Sequence, residues 1–561
     1  MIDLPIGMVD FASIRQDGCY YADKTRLLYQ LVREKTPYFL SRPRRFGKTL
    51  LVSTLKYILQ GRRDLFQGLW IDGSDYDWKA YPVIRLEMNY AADDNVREMN
   101  NNLAFMLDEM AAYEKISLKE AKTPKNKFST LIRLLYTEYG SQKVAILIDE
   151  YDAPIIEHIN NSTMADKIRR ALRRFYGVLK TNNEMIGHIF ITGVSRFTKT
   201  SIFSGLNNLE DLTLDSKFST ICGLTEANLE DILAERQDPT LAALIKKGVM
   251  RAGSTGDDLR QLIKDWYDGY SWDGENRVYN PWSALQFIKK ATIDDYWYDS
   301  GSPSFLVELI RSKKIIFDYS KDITDFTASR NAIDQINNLK SAPVMFQTGY
   351  LTIKECKTVE GAQSIYSLTI PNLEVKASLI PLILSIEPLK NPLMGQRYAA
   401  KMCERLFALD AVGLGNAFTD FLSQLTYDAL FDAEKYYYGL FELIMMMVDQ
   451  RYDSQAHTAF GRLDFFISDP EGNDFIIEIK YLMEGKTSDG KRPVPPKEPE
   501  KLAQLHSKMV PLAREALDQI SQLYVDRFKG GPNRVFKVAL VIARRQIVLA
   551  QIEEEVSRGI E

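Results

Sequence analysis

The segment RPRRFGKT (Arg42 to Thr49) lies between a short apolar run, Tyr38 to Leu40, and a stretch with apolar residues at Leu51, Leu55, Ile58 and Leu59. A strand, a tight loop and an amphipathic helix in that order confine the chain to an α/β sheet, because backbone N–H groups at the helix start must face an anion at the strand edge. In this reading Lys48 meets the β- and γ-phosphates of ATP and Thr49 meets Mg²⁺, with Arg44, Arg45, Phe46 and Gly47 forming the loop around them. The complementary segment is KVAILIDEYD, an aliphatic run that reads as a buried parallel strand ending in Asp149 and Glu150. Asp149 is expected to hold the Mg²⁺ shell and Glu150 to polarise the attacking water. Together the two segments imply a nucleotide hydrolase.

The loop departs from G-x-x-x-x-G-K-[ST] at its first position, where Arg42 stands in place of glycine. A bulky residue adopts φ > 0 only at a cost, so the loop is expected to enter its turn differently, with Pro43 fixing its own φ.

From Met1 to about Thr225, the strand-like runs YFL, VIRLEM, VAILI and HIFITGV alternate with helical patterns, the grammar of a parallel sheet wrapped by helices. Just beyond the last of these runs stand Thr192, Ser195 and Arg196. Two readings are open for them, a γ-phosphate sensor and an ordinary polar loop. The helix-like run KIRRALRR (Lys167 to Arg174) either faces nucleic acid or an acidic partner, or is a solvated helix face. From 226 to 395 the pattern is mainly helical and contains the aromatic clusters WYDGYSW and VYNPW. These are expected to pack a core or an inter-domain surface, with ligand stacking as the alternative. The proline- and charge-rich stretch Lys486 to Lys501 reads as an exposed arm.

With 561 residues the chain has room for three or four domains at about 150 residues each. The expected divisions are 1–225, 226–395 and 396–561. A net charge of −4 gives no global attraction to polyanions, so contact with nucleic acid must come from local basic patches. The 4 cysteines are scattered singly, which argues against a disulfide framework or a zinc site and for a reducing cytoplasm. The N-terminus lacks a basic start followed by an apolar stretch. The longest apolar run, LIMMMV, falls far short of the ~20 residues that span a bilayer, so no membrane association is expected.

Near the C-terminus, GRLDFFIS and FIIEIKYL flank the turn-forming DPEGND and read as a β-hairpin. A loop symmetric about Glu471 sets Asp464 opposite Glu478, and strand alternation brings Lys480 to the same face. Carboxylates at cross-strand distance repel, and buried ions lose hydration, so such a group needs compensation. Either Mg²⁺ supplies it, poised to activate water beside a phosphodiester, or Lys480 forms a plain ion pair on a solvated sheet face.

LSRPRRFGKTLLVSTL, ILIDEYDAPI, FITGVSRF, WYDGYSW, VYNPWS and FQTGYLTI, in this order, resemble the AAA-ATPase-like proteins of bacteria, in which arginine at the first loop position is usual. The C-terminal hairpin resembles the PD-(D/E)XK nuclease superfamily. What the resemblance implies is an α/β fold with a P-loop NTPase parallel sheet, a mainly helical middle region and a restriction-endonuclease-like C-terminal domain. It further implies Asp464 and Glu478 as metal ligands, Lys480 as the catalytic lysine, and Glu434 and Gln519 as supporting residues. Glu442 competes with Glu434, and Leu463 replaces the usual proline. Arg196 is counted among the nucleotide-binding residues on the γ-phosphate-sensor reading of its strand end. The expected function is an ATP- and Mg²⁺-dependent enzyme that cleaves DNA. The alternative is a nucleotide-dependent homo-oligomeric switch or scaffold whose C-terminal domain binds nucleic acid or protein without cutting.

Overall fold

The computed structural model describes residues 2–158, 161–196, 202–203, 206, 208–297, 326–329, 341–357, 365–378, 393–424, 437, 441, 452–454, 457–458, 461–462, 465–469, 471–483, 495–496, 498–523 and 534–554. They form two compact units, one spanning Met1–Phe317 and Asp322–Val375, the other Lys376–Glu561.

The first unit is built on a parallel sheet of β1 (Tyr38–Ser41), β2 (Val83–Glu87), β3 (Val144–Asp149), β4 (Ile186–Gly193) and the two-residue β5 (Glu210–Asp211), in the order β2-β3-β4-β1-β5. All of β3 and nearly all of β4 are buried, as expected of central strands covered by helices on both faces. Because β4 lies between β1 and β3, the phosphate-loop strand and the acidic strand each have Thr192 as a near neighbour. The helices Glu226–Lys246, Gly256–Tyr267 and Pro281–Lys290 follow, each opened by a side-chain cap from Thr225, Thr255 or Asn280. The stretch 226–395 is not helical throughout. β6 (Phe326–Ser329), β7 (Thr352–Lys357) and β8 (Ile365–Thr369) form an antiparallel sheet there, whose short polar-apolar alternation is too weak to register as strands in the sequence.

His188 on β4 is 7% exposed, with the Tyr81 ring edge-on at 5.1 Å. Burial, reinforced by nearby Lys35, pushes its imidazole down to about 4 from 6.5. The folded state therefore holds this proton less readily than the unfolded chain. The associated stability is complete above pH 6.5 and is lost as pH falls towards about 4. At 1.36 kcal/mol per unit this is at most about 3 kcal/mol. His188→Phe is expected to flatten that part of the stability–pH profile, measured by urea unfolding from neutral pH down to pH 4.

The second unit carries the sheet order β15-β14-β13-β12-β9, made of β9 (Tyr452–Ser454), β12 (Phe465–Ser468), β13 (Asp474–Leu482), β14 (Val535–Ala543) and β15 (Ile547–Glu554). A separate ribbon pairs β10 (His457–Thr458) with β11 (Gly461–Arg462). β12 and β13 are an antiparallel hairpin in the register Phe465↔Ile477 to Ser468↔Asp474, the register that symmetry about Glu471 predicts. Asp469 sets the turn by accepting from the Glu471 and Asn473 amides at 2.9 and 2.8 Å. After the hairpin the helix Pro499–Leu523 crosses the sheet, and β14 returns parallel to β13. Ala513 and Ala516 pack with Ala539 and Ala543 in one cluster, and these small side chains permit close approach of helix and sheet. No helix among the described residues is long and apolar enough to cross a membrane.

Candidate functional site

At the end of β1 the chain turns through Arg42 to Gly47 and enters the helix Lys48–Leu59. Positive φ falls on Arg45 (70°) and Gly47 (84°), while Arg42 is outside the left-handed region. A Cβ on Gly47 would meet nothing within 4 Å, so its glycine is demanded by backbone conformation rather than by space. Lys48 is 4% exposed, and its Nζ donates to the carbonyls of Arg42 and Pro43 at 3.0 and 2.9 Å, holding the loop closed beneath the helix start.

Arg42 is a strut. Its guanidinium donates to the carbonyls of Ser41, Thr213 and Phe218 at 2.9, 3.0 and 3.2 Å and lies 4.0 Å from the centroid of the Trp272 ring. Burial lowers its pKa to about 10, which leaves it charged at neutral pH. Beside it Phe46 is 1% exposed and meets Tyr270 and Trp272 edge-on at 4.7 and 5.3 Å. The WYDGYSW cluster is thus the floor of the phosphate loop. Arg42→Gly, which would restore the ordinary motif, is expected to destabilise the protein by about 4 kcal/mol, because three buried carbonyls lose a charged donor and the strut leaves a void. A shift of that size in the urea midpoint, followed by tryptophan fluorescence, checks it.

The loop opens on a cleft of 460 Å³. Arg44 to Leu51 form one wall, while Asn89, Glu150, Lys24, Tyr21 and Trp282 contribute to the others. Arg44 and Arg45 are exposed there, and Arg45 stacks 4.4 Å over Trp282. Asp149 is 4% exposed and accepts from Thr192 Oγ1 at 2.6 Å, while the same hydroxyl accepts from the Glu150 amide at 3.3 Å. Glu150 itself has φ 53° and takes a hydrogen bond from the Asn89 side chain. The structure therefore gathers Lys48, Thr49 and Glu150 on one cleft, with Asp149 anchored next to Glu150. Sequence reasoning passed over Lys24 and Asn89, whose neighbourhoods carry no motif. Lys24 donates to Asn228 Oδ1 at 3.1 Å, and burial brings its ammonium down to about 8, adding a further basic side chain to a cleft already lined by Arg44, Arg45 and Lys48.

The other residues beyond β4 are committed elsewhere. The Ser195 hydroxyl and amide both serve Asp152, a fully buried acid whose pKa burial raises. Arg196 is 4% exposed, pairs with Asp211 at 2.8 Å and donates its amide to Gln347, and neither residue is on the cleft wall. Of the residues near this strand end, Thr192 is the one joined to the acidic pair.

In the second unit, Ile476, Glu478 and Lys480 share the face of β13 covered by the helix Pro499–Leu523, where Ile476 packs on Ile520. Gln519 from that helix donates through Nε2 to Glu478 Oε1 at 2.6 Å and accepts from Lys480 Nζ at 2.8 Å. Lys480 Nζ is also 3.4 Å from Glu478 Oε1, and Glu478 is 3% exposed. Asp464, Glu434, Glu442 and Leu463 lie outside the described residues, among which no group of three or more His, Cys, Asp or Glu is placed to hold a metal.

A family model described as a predicted AAA-ATPase matches residues 5–203, the segment that holds the parallel sheet, the loop and the acidic pair. Over 490 residues the chain is 34% identical to the uncharacterized protein in the vnfD 5' region of Azotobacter chroococcum mcd 1, a match covering 85% of this chain and 89% of that protein.

Proposed function

The chain belongs to the family of predicted AAA-ATPases, and from that premise we propose that its first unit hydrolyses ATP at the loop cleft while its second unit is a Mg²⁺-dependent DNA nuclease. The donor set around the cleft suits Mg²⁺. Thr49 offers a hydroxyl in the first turn of a helix, and Asp149 offers a carboxylate whose orientation Thr192 fixes, both hard oxygen ligands. Thr49 and Asp149 would hold the ion, which when bound with nucleotide supplies neutralising charge on the phosphates. Lys48 exchanges its two loop carbonyls for phosphate oxygens. Glu150, held by Asn89, orients water towards the terminal phosphate, and the loop amides carry the developing charge.

The nuclease reading is carried by one observation: an acid, a lysine and a glutamine converge on one face of a mixed sheet built as a hairpin, a covering helix and a parallel return strand. The sequence symmetry about Glu471 that predicts this register would also pair Asp464 with Glu478, which would give two carboxylates for a metal. In this reading Lys480 stabilises the charge that develops on the scissile phosphate, and Gln519 positions both Lys480 and Glu478. Incubating the purified chain with plasmid and linear DNA, Mg²⁺ and ATP tests it. Nicking or linearisation that disappears with Asp464→Ala is expected, and DNA left intact by the wild type removes the nuclease reading.

A further inference from the structure

We propose that the exposed face of the helix Ser162–Thr181 docks the phosphodiester backbone of duplex DNA. The proposal takes its ligand from the nuclease reading, but its surface is independent of that site. The helix buries Ile168, Leu172, Phe175 and Leu179 and turns Lys167, Arg170, Arg173, Arg174 and Lys180 outward. From Lys167 to Lys180 this stripe runs about 20 Å at 1.5 Å per residue.

An ordinary solvated helix face mixes charges of both signs, and elsewhere this chain does so, as with Arg514–Asp518 on the helix Pro499–Leu523 and Lys501 of the same helix with Glu498 just ahead of it. Here Asp166 is the single acid between residues 162 and 181, and it is taken by Arg169 at 2.9 Å. Lys167–Arg170, Arg169–Arg173, Arg170–Arg173 and Arg170–Arg174 are like-charge pairs at helical contact spacing, which oppose helix formation. A surface that concentrates repelling cations in a chain of net charge −4 gains most from a polyanion, and releases counterions when it binds one. A second feature lies on the same face. At Gly177 the helix borders a hollow of 300 Å³, rimmed by Arg173 and Lys180, walled by Tyr176 and Phe203, and lined by no acid among the described residues. A backbone phosphate approaching along the stripe meets cations on both sides of this opening.

The test is fluorescence anisotropy of the full-length protein with a labelled duplex of about three helical turns, in EDTA so that no cutting intervenes, between about 50 and 200 mM salt. R170E/R173E/R174E is expected to weaken binding at least about tenfold and to reduce the slope of log Kd against log salt by about 2 to 3. R170Q/R173Q/R174Q, which avoids charge reversal, should reduce the slope in the same direction. ATP turnover should be unchanged in both, and the melting temperature should not fall in the Gln variant, because it loses like-charge repulsion along the helix. Wild-type affinity and slope in the variants, no duplex binding by the wild type, or tighter wild-type binding to polyglutamate than to DNA would each overturn the proposal. The separate cleavage assay keeps the two ideas apart. Salt-sensitive binding through the stripe with no cutting removes the nuclease and leaves the docking face, while equal cutting and binding by wild type and variants does the reverse.

Discussion

Lys48→Ala is expected to lower ATP turnover by a factor on the order of 10² to 10³, the cost of removing one preorganised donor from a site of developing phosphate charge. The lysine is buried at the helix start and spends its hydrogen bonds on the carbonyls of Arg42 and Pro43, so it is aimed along the loop before nucleotide arrives. Its loss also leaves those carbonyls without their donor, costing about 1 kcal/mol of stability. A Mg·ATP thermal shift separates the two effects, since binding to the folded state alone raises the melting temperature. The wild type should be stabilised by nucleotide and the variant much less so. Phosphate release at the wild-type rate in Lys48→Ala would refute this assignment of the cleft. If nucleotide instead drives assembly without cutting, sedimentation should show an ATP-dependent change in size that Lys48→Ala abolishes, with DNA intact throughout.

If the second unit is the proposed nuclease, Glu478→Gln and Lys480→Met are each expected to reduce DNA cleavage by about a thousandfold, the first by removing a carboxylate that would bind metal and the second by removing a cation that would face the scissile phosphate. The ion-pair alternative makes a different forecast. Glu478 and Lys480 are 3.4 Å apart and share Gln519, so a purely structural pair would show its loss in melting temperature and leave any cleavage intact. Gln519→Ala should sit between these, with a partial loss of cutting that Gln519→Glu does not restore, because a carboxylate cannot donate to Glu478. Full cleavage by either Glu478→Gln or Lys480→Met would end the case for this site.

The parts of the molecule legible in its sequence are those set by neighbours along the chain. β1, the loop, the helix after it and β3 follow from local periodicity, and the hairpin register follows from a turn in which Asp469 binds its own flanking amides. Arg42 shows the limit. At its position it reads as a defect in a motif, yet its partners are Thr213, Phe218 and Trp272, brought to it only by the tertiary fold. The sequence shows Arg196 just beyond a strand-like run, but its direction is decided by Asp211 on a strand of two residues that no pattern announces. The convergence of Gln519 on Glu478 depends on which face of a long helix meets the sheet, and the alternation of alanines and leucines along that helix records it only in part.

The floor under the phosphate loop comes from residues well past the segment that the family model covers. A fragment stopped at residue 203 or 225 would retain every side chain of the loop itself, yet would strip Tyr270 and Trp272 from Phe46 and Arg42 and let water into their seat. The smallest fragment that keeps the loop cleft intact must therefore extend beyond Trp282, which lines the cleft under Arg45. Any dissection into modules should draw its first boundary by that aromatic support rather than by the end of the motif-bearing sheet.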